Sequence, residues 1–204
     1  MKTLKMYHNS INHQMIDEVV EALRDGQIII YPTDSVYAIG CDALSNRAIE
    51  RVCRLKGIDP NRQRLSIVCS GLSQASEYAR IDNNAFSIIK RNTPGAVTFI
   101  LPASTKLPKV FKGRKEAGIR IPDCAIARTL AERLGNPMLS ATIDWDHDTP
   151  EDGSEPYCIA DNYRNDIDLM IDAGEGSLTE STIVDLTDSS SPVVLRQGSK
   201  DLIL

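Results

Sequence analysis

Short apolar strands and amphipathic helices follow one another along most of the chain, and this interleaving limits the available folds more than any other feature. Apolar residues recur at helical spacing from Ile16 to Leu23, which predicts a helix that ends near Gly26. The apolar run from Gln27 to Tyr31 follows directly and predicts a buried strand. A helix joined to a strand in this way is typical of a sheet that carries helices on its faces.

The same alternation continues towards the C-terminal end of the sequence. Further helices are predicted up to about Lys56 and over residues 73–78, 84–90 and 125–134, the last ending at a Gly135 C-cap. Further strands are predicted over residues 65–69, 96–101, 118–121, 138–142, 168–172, 181–186 and 193–196. We therefore expect an α/β or α+β fold in which one domain spans residues 1–204 and a twisted, mixed sheet is flanked by helices.

One segment departs from this pattern. Residues 144–165 are rich in Asp, Pro and Gly and poor in aliphatic side chains. Because strands resume after it, we interpret it as an acidic surface excursion, and as a mobile flap, rather than as a linker between domains.

Cysteine and histidine chemistry receives little support from the sequence. The five cysteines are scattered without a C-x-x-C pair, so we expect buried, reduced thiols rather than disulfides or a zinc site. The chain has three histidines, two of them near its start, which argues against a histidine metal site or a catalytic triad. No metal site built by the protein is predicted.

The formal net charge of −5 argues against non-specific coating of nucleic acid. Two local basic clusters, Arg51 to Arg64 and Lys106 to Lys115, could nevertheless bind anions. No apolar run approaches the ~20 residues of a membrane span, and no signal-peptide pattern is evident, so we expect a cytoplasmic protein with no membrane partner.

The first stretch that suggests a binding site runs from Tyr31 to Cys41, where hydroxyl groups and the Asp34 carboxylate follow a buried strand. Ligand sites of open α/β sheets collect at such strand ends, which makes Thr33 a candidate. The alternative is that Asp34 and its neighbours only shape a turn.

A basic stretch follows the helix that ends near Lys56. Lys56, Arg62 and Arg64 are suited to neutralise phosphate groups, with the lysine as a point charge and the arginines as planar forks. The alternative is a solvated loop whose charges serve only solubility.

Arg120 lies inside an otherwise apolar predicted strand, where a buried guanidinium requires an anionic partner. Either a structural carboxylate, such as Asp34 or Asp172, or the carboxylate of a substrate would satisfy it.

Further hydroxyl groups and an arginine stand at later strand ends, namely Ser140, Thr142, Ser181 and Arg196. The sequence contains no Walker P-loop and no G-x-G-x-x-G motif. A nucleotide site in this chain would therefore be of another kind.

Taken in order, these stretches resemble the YrdC-like family, whose motifs read P-T-D-T-V-Y-G-L-G, K-x-R-P, P-G-P-x-T, V-R-x-P, S-A-N and S-T-V-V-D with a terminal L-R-x-G. The counterparts here begin with P-T-D-S-V-Y-A-I-G and end with S-T-I-V-D and L-R-Q-G. The resemblance extends from about Gly26 to Gly198. It implies the YrdC-like fold, with a concave basic cleft over the sheet.

The resemblance also implies threonylcarbamoyl-AMP synthesis from L-threonine, bicarbonate and ATP, with Mg²⁺ accompanying the nucleotide and the product used in tRNA modification. Lys56 and Ser140 would be catalytic. The threonine would be surrounded by Thr33, Arg120, Ser140 and Asp172. The nucleotide would face Lys56, Thr98, Thr142, Ser181 and Arg196, with Arg62 and Arg64 as substitute phosphate ligands.

Two departures from the family pattern reduce the expected activity. Ile58 stands where K-x-R has its arginine, and Thr142 replaces the asparagine of S-x-N. These changes resemble the YciO-type branch, so we expect nucleotide binding with weak or altered synthase activity. The alternative is a non-catalytic protein that binds double-stranded RNA or tRNA, or associates with the ribosome, through its basic clusters.

Overall fold

The structure is a computed structural model that describes residues 1–59, 66–107 and 115–204. The strands in these ranges are β1 (Lys2–Lys5), β2 (Ile29–Tyr31), β3 (Ala38–Asp42), β4 (Ser66–Val68), β5 (Val97–Pro102), β6 (Glu116–Arg120), β7 (Met138–Thr142), β8 (Leu169–Asp172), β9 (Thr182–Asp185) and β10 (Val193–Arg196). The helices are α1 (His13–Arg24), α2 (Asn46–Leu55), α3 (Leu72–Tyr78), α4 (Asn83–Asn92), α5 (Ala125–Leu134), α6 (Glu151–Ser154) and α7 (Pro156–Tyr163).

All of these strands belong to one sheet, in the order β1-β8-β2-β3-β7-β4-β6-β5-β9-β10. The pairs β1–β8, β2–β8, β4–β6 and β5–β9 are parallel, whereas the other neighbours are antiparallel. The predicted mixed sheet with flanking helices is therefore confirmed.

The two faces of the sheet bury separate cores, because side chains alternate along each strand. On β2, Ile29 and Tyr31 pack with residues of α1 and α5. Ile30 points the other way and packs with residues of α2, α3 and α4. Burial on both faces explains why the central strands are almost wholly apolar.

Local signals define helix ends, and the predicted Gly135 C-cap is one of them. The Asn12 side chain caps α1 by accepting hydrogen bonds from the backbone N–H groups of Gln14, at 3.0 Å, and Met15, at 3.2 Å. Gly135 ends α5 with a φ of 83°, a left-handed conformation that favours glycine.

Two strands and two helices were not predicted. Strand β1 is an edge strand that buries only Leu4, so its apolar signal is weak. Strand β3 contains Ala38 and Gly40, which carry little strand propensity, and tertiary pairing with β2 and β7 overrides that. The acidic segment 144–165 contains α6 and α7, and α7 buries Ile159 and Tyr163. Movement of this segment stays a prediction.

The prediction of buried thiols is confirmed for four of the five cysteines, whereas Cys158 is partly exposed. All five are thiols without a disulfide, and four of them are buried. Within the described ranges, no helix combines the length and apolar character needed to cross a membrane.

Candidate functional site

A cavity of about 460 Å³ opens over one face of the sheet. Seven neighbouring strands, from β3 to β10 in the sheet order, contribute side chains to its wall. Strand register accounts for the arrangement: Arg120 on β6 lies opposite Thr98 on β5, which lies opposite Ile183 on β9, which lies opposite Arg196 on β10. Ser140 on β7 likewise lies opposite Ser66 on β4.

The cavity brings together most of the site residues that the sequence predicted. Those in its wall are Lys56, Thr98, Arg120, Ser140, Thr142, Ser181 and Arg196. Thr33 and Asp172 do not belong to the described wall. Arg62 and Arg64 lie outside the described residues, so their predicted role as substitute phosphate ligands stays a prediction.

Arg120 lines the cavity from β6 and has a carboxylate partner within the protein; we call Arg120 and the residues that it contacts the Arg120 end. Its Nη2 donates to Asp34 Oδ1 at 2.5 Å, to Ser35 Oγ at 2.8 Å and to Thr33 Oγ1 at 3.2 Å. Asp34 Oδ2 also accepts a hydrogen bond from the backbone N–H of Asp123 at 2.7 Å. Of the two carboxylates that the sequence left open, Asp34 is the partner, and Thr33 contacts Arg120.

One donor of this guanidinium has no partner among the described residues. Arg120 Nε is buried and makes no hydrogen bond there, although the residue lines the cavity. A buried unsatisfied donor is costly, and this N–H could still donate one further hydrogen bond.

Asp172 ends β8 and makes a local hydrogen bond, and its predicted contact with threonine stays a prediction. Its Oδ1 accepts a hydrogen bond from the backbone N–H of Gly174 at 2.9 Å. The nearby Tyr37 hydroxyl donates to the carbonyl of Gly174 at 2.7 Å and accepts from the N–H of Ala173 at 3.1 Å. Burial raises the pKa of Tyr37 to about 12, so the hydroxyl remains protonated at neutral pH.

Ser140 is oriented by a buried tyrosine beneath the cavity. The Tyr31 hydroxyl donates to Ser140 Oγ at 2.7 Å. A β-carbon on Gly40 would lie 2.6 Å from the Tyr31 ring, so only glycine leaves room for this ring. Burial raises the pKa of Tyr31 to about 12, against the opposing effect of the Ser140 hydrogen bond. Since the protonated Tyr31 hydroxyl donates this hydrogen bond, the hydroxyl hydrogen of Ser140 remains available to a ligand.

Two further cations, Lys56 and Arg196, line the cavity and each contacts a carboxylate; we call these cations and their partners the Lys56 end. The Lys56 ammonium forms an ion pair with Asp144. Arg196 Nη1 lies 2.7 Å from Glu180 Oε2, while its Nε and Nη2 donate to the carbonyl of Ser181 at 3.1 and 2.9 Å. The described wall thus combines cations with acidic neighbours.

The two departures from the family pattern both face this cavity. Ile58 lines it close in sequence to Lys56, and Thr142 lines it at the end of β7. The wall therefore carries an apolar side chain at residue 58 and a hydroxyl group at residue 142.

Several wall residues were missed as site residues, among them Asp144, Trp145, His147 and Glu180. The Trp145 and His147 rings meet edge to face with centroids 5.2 Å apart. The first three belong to the acidic segment, whose composition suggested a surface excursion and concealed their position at the cavity. Their signal was their closeness in sequence to Ser140 and Thr142.

The described basic clusters are partly neutralised by local partners. Arg51 forms an ion pair with Asp168. Lys106 lies 2.8 Å from Glu77. Among the described residues, no group of three His, Cys, Asp or Glu side chains is placed to hold a metal ion. Binding of tRNA or double-stranded RNA stays a prediction.

Known proteins match this chain in both sequence and structure. A family model for Sua5, YciO and YrdC domains, described as "Telomere recombination", matches residues 21–198. The uncharacterized protein YciO of Escherichia coli K12 is 39% identical over 191 residues, covering 93% of this chain and 91% of that protein. A threonylcarbamoyl-AMP synthase of Pyrococcus abyssi is 32% identical over 183 residues, covering 88% of this chain but 53% of the synthase.

Solved structures give the same result. The crystal structure of E. coli YciO superimposes with a TM-score of 0.87 and 34% identity, covering 98% of each chain. The crystal structure of P. abyssi Sua5 complexed with L-threonine superimposes with a TM-score of 0.84 and 27% identity, covering 97% of this chain and 58% of the other. The matched residues comprise the strands that build the cavity, and the chain belongs to the Sua5/YciO/YrdC family.

Proposed function

We propose that the cavity binds L-threonine and an adenine nucleotide, ATP or AMP-like, and that the protein forms threonylcarbamoyl-AMP with weak or altered activity. The observation that carries this proposal is the convergence of Arg120, Ser140, Lys56 and Arg196 in one cavity. Membership in a family that includes threonylcarbamoyl-AMP synthases supports the reaction class.

The Arg120 end of the cavity suits the amino acid. Arg120 lines the cavity and its guanidinium offers a positive charge to a carboxylate, while the Ser140 hydroxyl offers a hydrogen-bond donor. The Sua5 structure that contains L-threonine shows that a relative binds this amino acid. We therefore assign the threonine carboxylate to the Arg120 end.

The Lys56 end suits the nucleotide. Lys56 and Arg196 would offset charge that builds on the α-phosphate when a threonine carbamate oxygen attacks it and pyrophosphate leaves. The new bond joins the carbamate oxygen to phosphorus, and the broken bond releases pyrophosphate. Because Ile58 contributes no charge, we expect this stabilisation to be weaker than in a synthase with an arginine there.

Mg²⁺ is expected to accompany ATP. It usually keeps several waters and binds through substrate phosphates with one or two carboxylates. The described wall offers Asp144 and Glu180, both in ion pairs. We therefore expect the phosphates of the nucleotide, rather than these carboxylates, to supply most of the Mg²⁺ ligands other than water.

The test is a mass-detected assay for threonylcarbamoyl-AMP with threonine, bicarbonate, Mg²⁺ and ATP. The variants are Lys56→Ala, the double variant Ile58→Arg/Thr142→Asn, and Lys90→Ala, an exposed lysine in the last turn of α4, as the control. We expect slow product formation by wild type, loss with Lys56→Ala, no change with Lys90→Ala and faster formation by the double variant. Absence of product from both wild type and the double variant would refute the enzymatic function.

A further inference from the structure

In the Lys56–Asp144 ion pair, the cation is nearly buried and the carboxylate is exposed to solvent. The Lys56 side chain is 10% exposed, whereas that of Asp144 is 75% exposed. The ammonium thus belongs to the cavity, and the carboxylate reaches it from the rim. A pair of this kind leaves the cation in place when the carboxylate turns away into solvent.

The backbone of Asp144 is held on both sides by one hydroxyl group. The Tyr163 hydroxyl accepts a hydrogen bond from the Asp144 N–H at 2.7 Å and donates to the Asp144 carbonyl at 3.1 Å. Tyr163 is buried on α7, and the preceding Ile143 is buried as well. Release of Lys56 therefore requires only rotation of the Asp144 side chain, a change among staggered rotamers.

An anion that binds Lys56 must compete with this carboxylate. Because Asp144 is attached to the same molecule, its effective concentration at the ammonium is high, of the order of mM or above. The apparent affinity of any ligand that needs Lys56 is reduced by the fraction of molecules in which Lys56 is available. The competition lowers affinity without blocking the cavity.

We propose that Asp144 is an internal counter-anion that occupies Lys56 in the ligand-free cavity and sets its affinity for phosphate groups. The inference rests on the proposed function only in assigning phosphate groups to Lys56. It adds a residue that limits binding, in a segment whose acidic composition otherwise indicates a solvated surface.

A structural role for the same ion pair makes a different prediction. An ion pair with one partner so exposed contributes at most about 1 kcal/mol to folding. Asp144→Asn keeps the shape of the side chain and removes its charge. We therefore expect the variant to unfold at nearly the wild-type urea concentration while its binding changes.

The experiment is calorimetric titration with pyrophosphate in buffer with EDTA and without Mg²⁺, at one fixed salt concentration. The variants are Asp144→Asn, Lys56→Ala, Lys56→Ala/Asp144→Asn, and Asp148→Asn, an exposed carboxylate of the same segment, as the control for net charge. We expect Asp144→Asn to bind pyrophosphate about 3-fold to 10-fold more tightly than wild type. We expect Asp148→Asn to match wild type and the double variant to lose the gain.

Binding by Asp144→Asn without detectable binding by wild type also supports the inference. Equal or weaker binding by Asp144→Asn, binding by neither protein, the same gain with Asp148→Asn, or a gain that survives loss of Lys56 would each overturn it. Failure of the proposed function gives a different result: ATP would then bind Lys56→Ala and wild type with the same affinity.

Discussion

The two ends of the cavity hold their cations in different ways. At one end, the Arg120 and Asp34 side chains are 9% and 12% exposed, and each makes further hydrogen bonds within the protein. At the other end, Lys56 and Arg196 contact carboxylates that are 75% and 41% exposed. The first end is therefore preorganised, whereas the second is held by partners that solvent can replace.

This difference suggests a division of tasks. A preorganised guanidinium binds one small ligand group with little loss of conformational freedom. Cations with exchangeable partners accommodate a larger, more highly charged group at the cost of displacing those partners. The structure thus favours selective binding at the Arg120 end and adjustable binding at the Lys56 end.

The largest effect is expected from breaking the preorganised end. Asp34→Ala leaves a buried guanidinium without its carboxylate, which we expect to lower the free energy of unfolding by about 3 kcal/mol. Urea denaturation measures this change. The matched control is Asp123→Ala, which removes the exposed partner of Arg128 and should cost less than about 1 kcal/mol. Equal losses in the two variants would contradict the comparison.

A smaller effect is expected at high pH, where the buried Tyr31 hydroxyl would ionise. Its pKa of about 12 in the folded state exceeds the value of about 10 in the unfolded state, so the unfolded state loses its proton first. The contribution of Tyr31 to the free energy of unfolding is fully present below pH ~10. It falls by about 1 kcal/mol for each pH unit as the pH rises to ~12.

Urea denaturation at a series of pH values between about 9 and 12 measures how steeply the free energy of unfolding falls with pH. We expect Tyr31→Phe to reduce the slope and Tyr157→Phe, at an exposed position, to leave it unchanged. A wild-type slope in Tyr31→Phe would show that Tyr31 is not the group that titrates.

The smallest effect is expected from adding a cation at the adjustable end. Ile58→Arg places a guanidinium in the cavity wall and should tighten ATP binding about 3-fold to 10-fold, as one hydrogen bond to a charged group would. Ile203→Arg adds the same charge outside the described wall and should have no such effect. Calorimetric titration with ATP and Mg²⁺ compares them, and unchanged affinity in Ile58→Arg would remove Ile58 as a cause of weak binding.

Sequence patterns predicted the features of the fold that are determined within a few neighbouring residues. The helical spacing from Ile16 to Leu23, the glycine after α5 and the apolar central strands each reflect burial or backbone conformation within a few residues. Arg120 was also recognisable, because a cation inside an apolar strand implies a partner.

Pairings between distant residues were not predictable in this way. Lys56 meets Asp144 only because the chain between them completes several strands of the sheet, and no local pattern records that contact. Asp172, which the family resemblance placed beside threonine, accepts a hydrogen bond from the backbone N–H of Gly174, and its predicted contact with threonine stays a prediction. Strand order and register decide such cases, and they depend on the whole sheet.

The most direct test of the account is calorimetric titration of the protein with L-threonine. The comparison is between wild type, Arg120→Lys, which keeps the charge but loses the planar fork, and Arg91→Lys, an exposed control on α4. We predict saturable binding by wild type, at least about 10-fold weaker binding by Arg120→Lys and wild-type binding by Arg91→Lys. Absence of binding by wild type, or equal affinity in Arg120→Lys, would contradict the assignment of the Arg120 end to the amino acid.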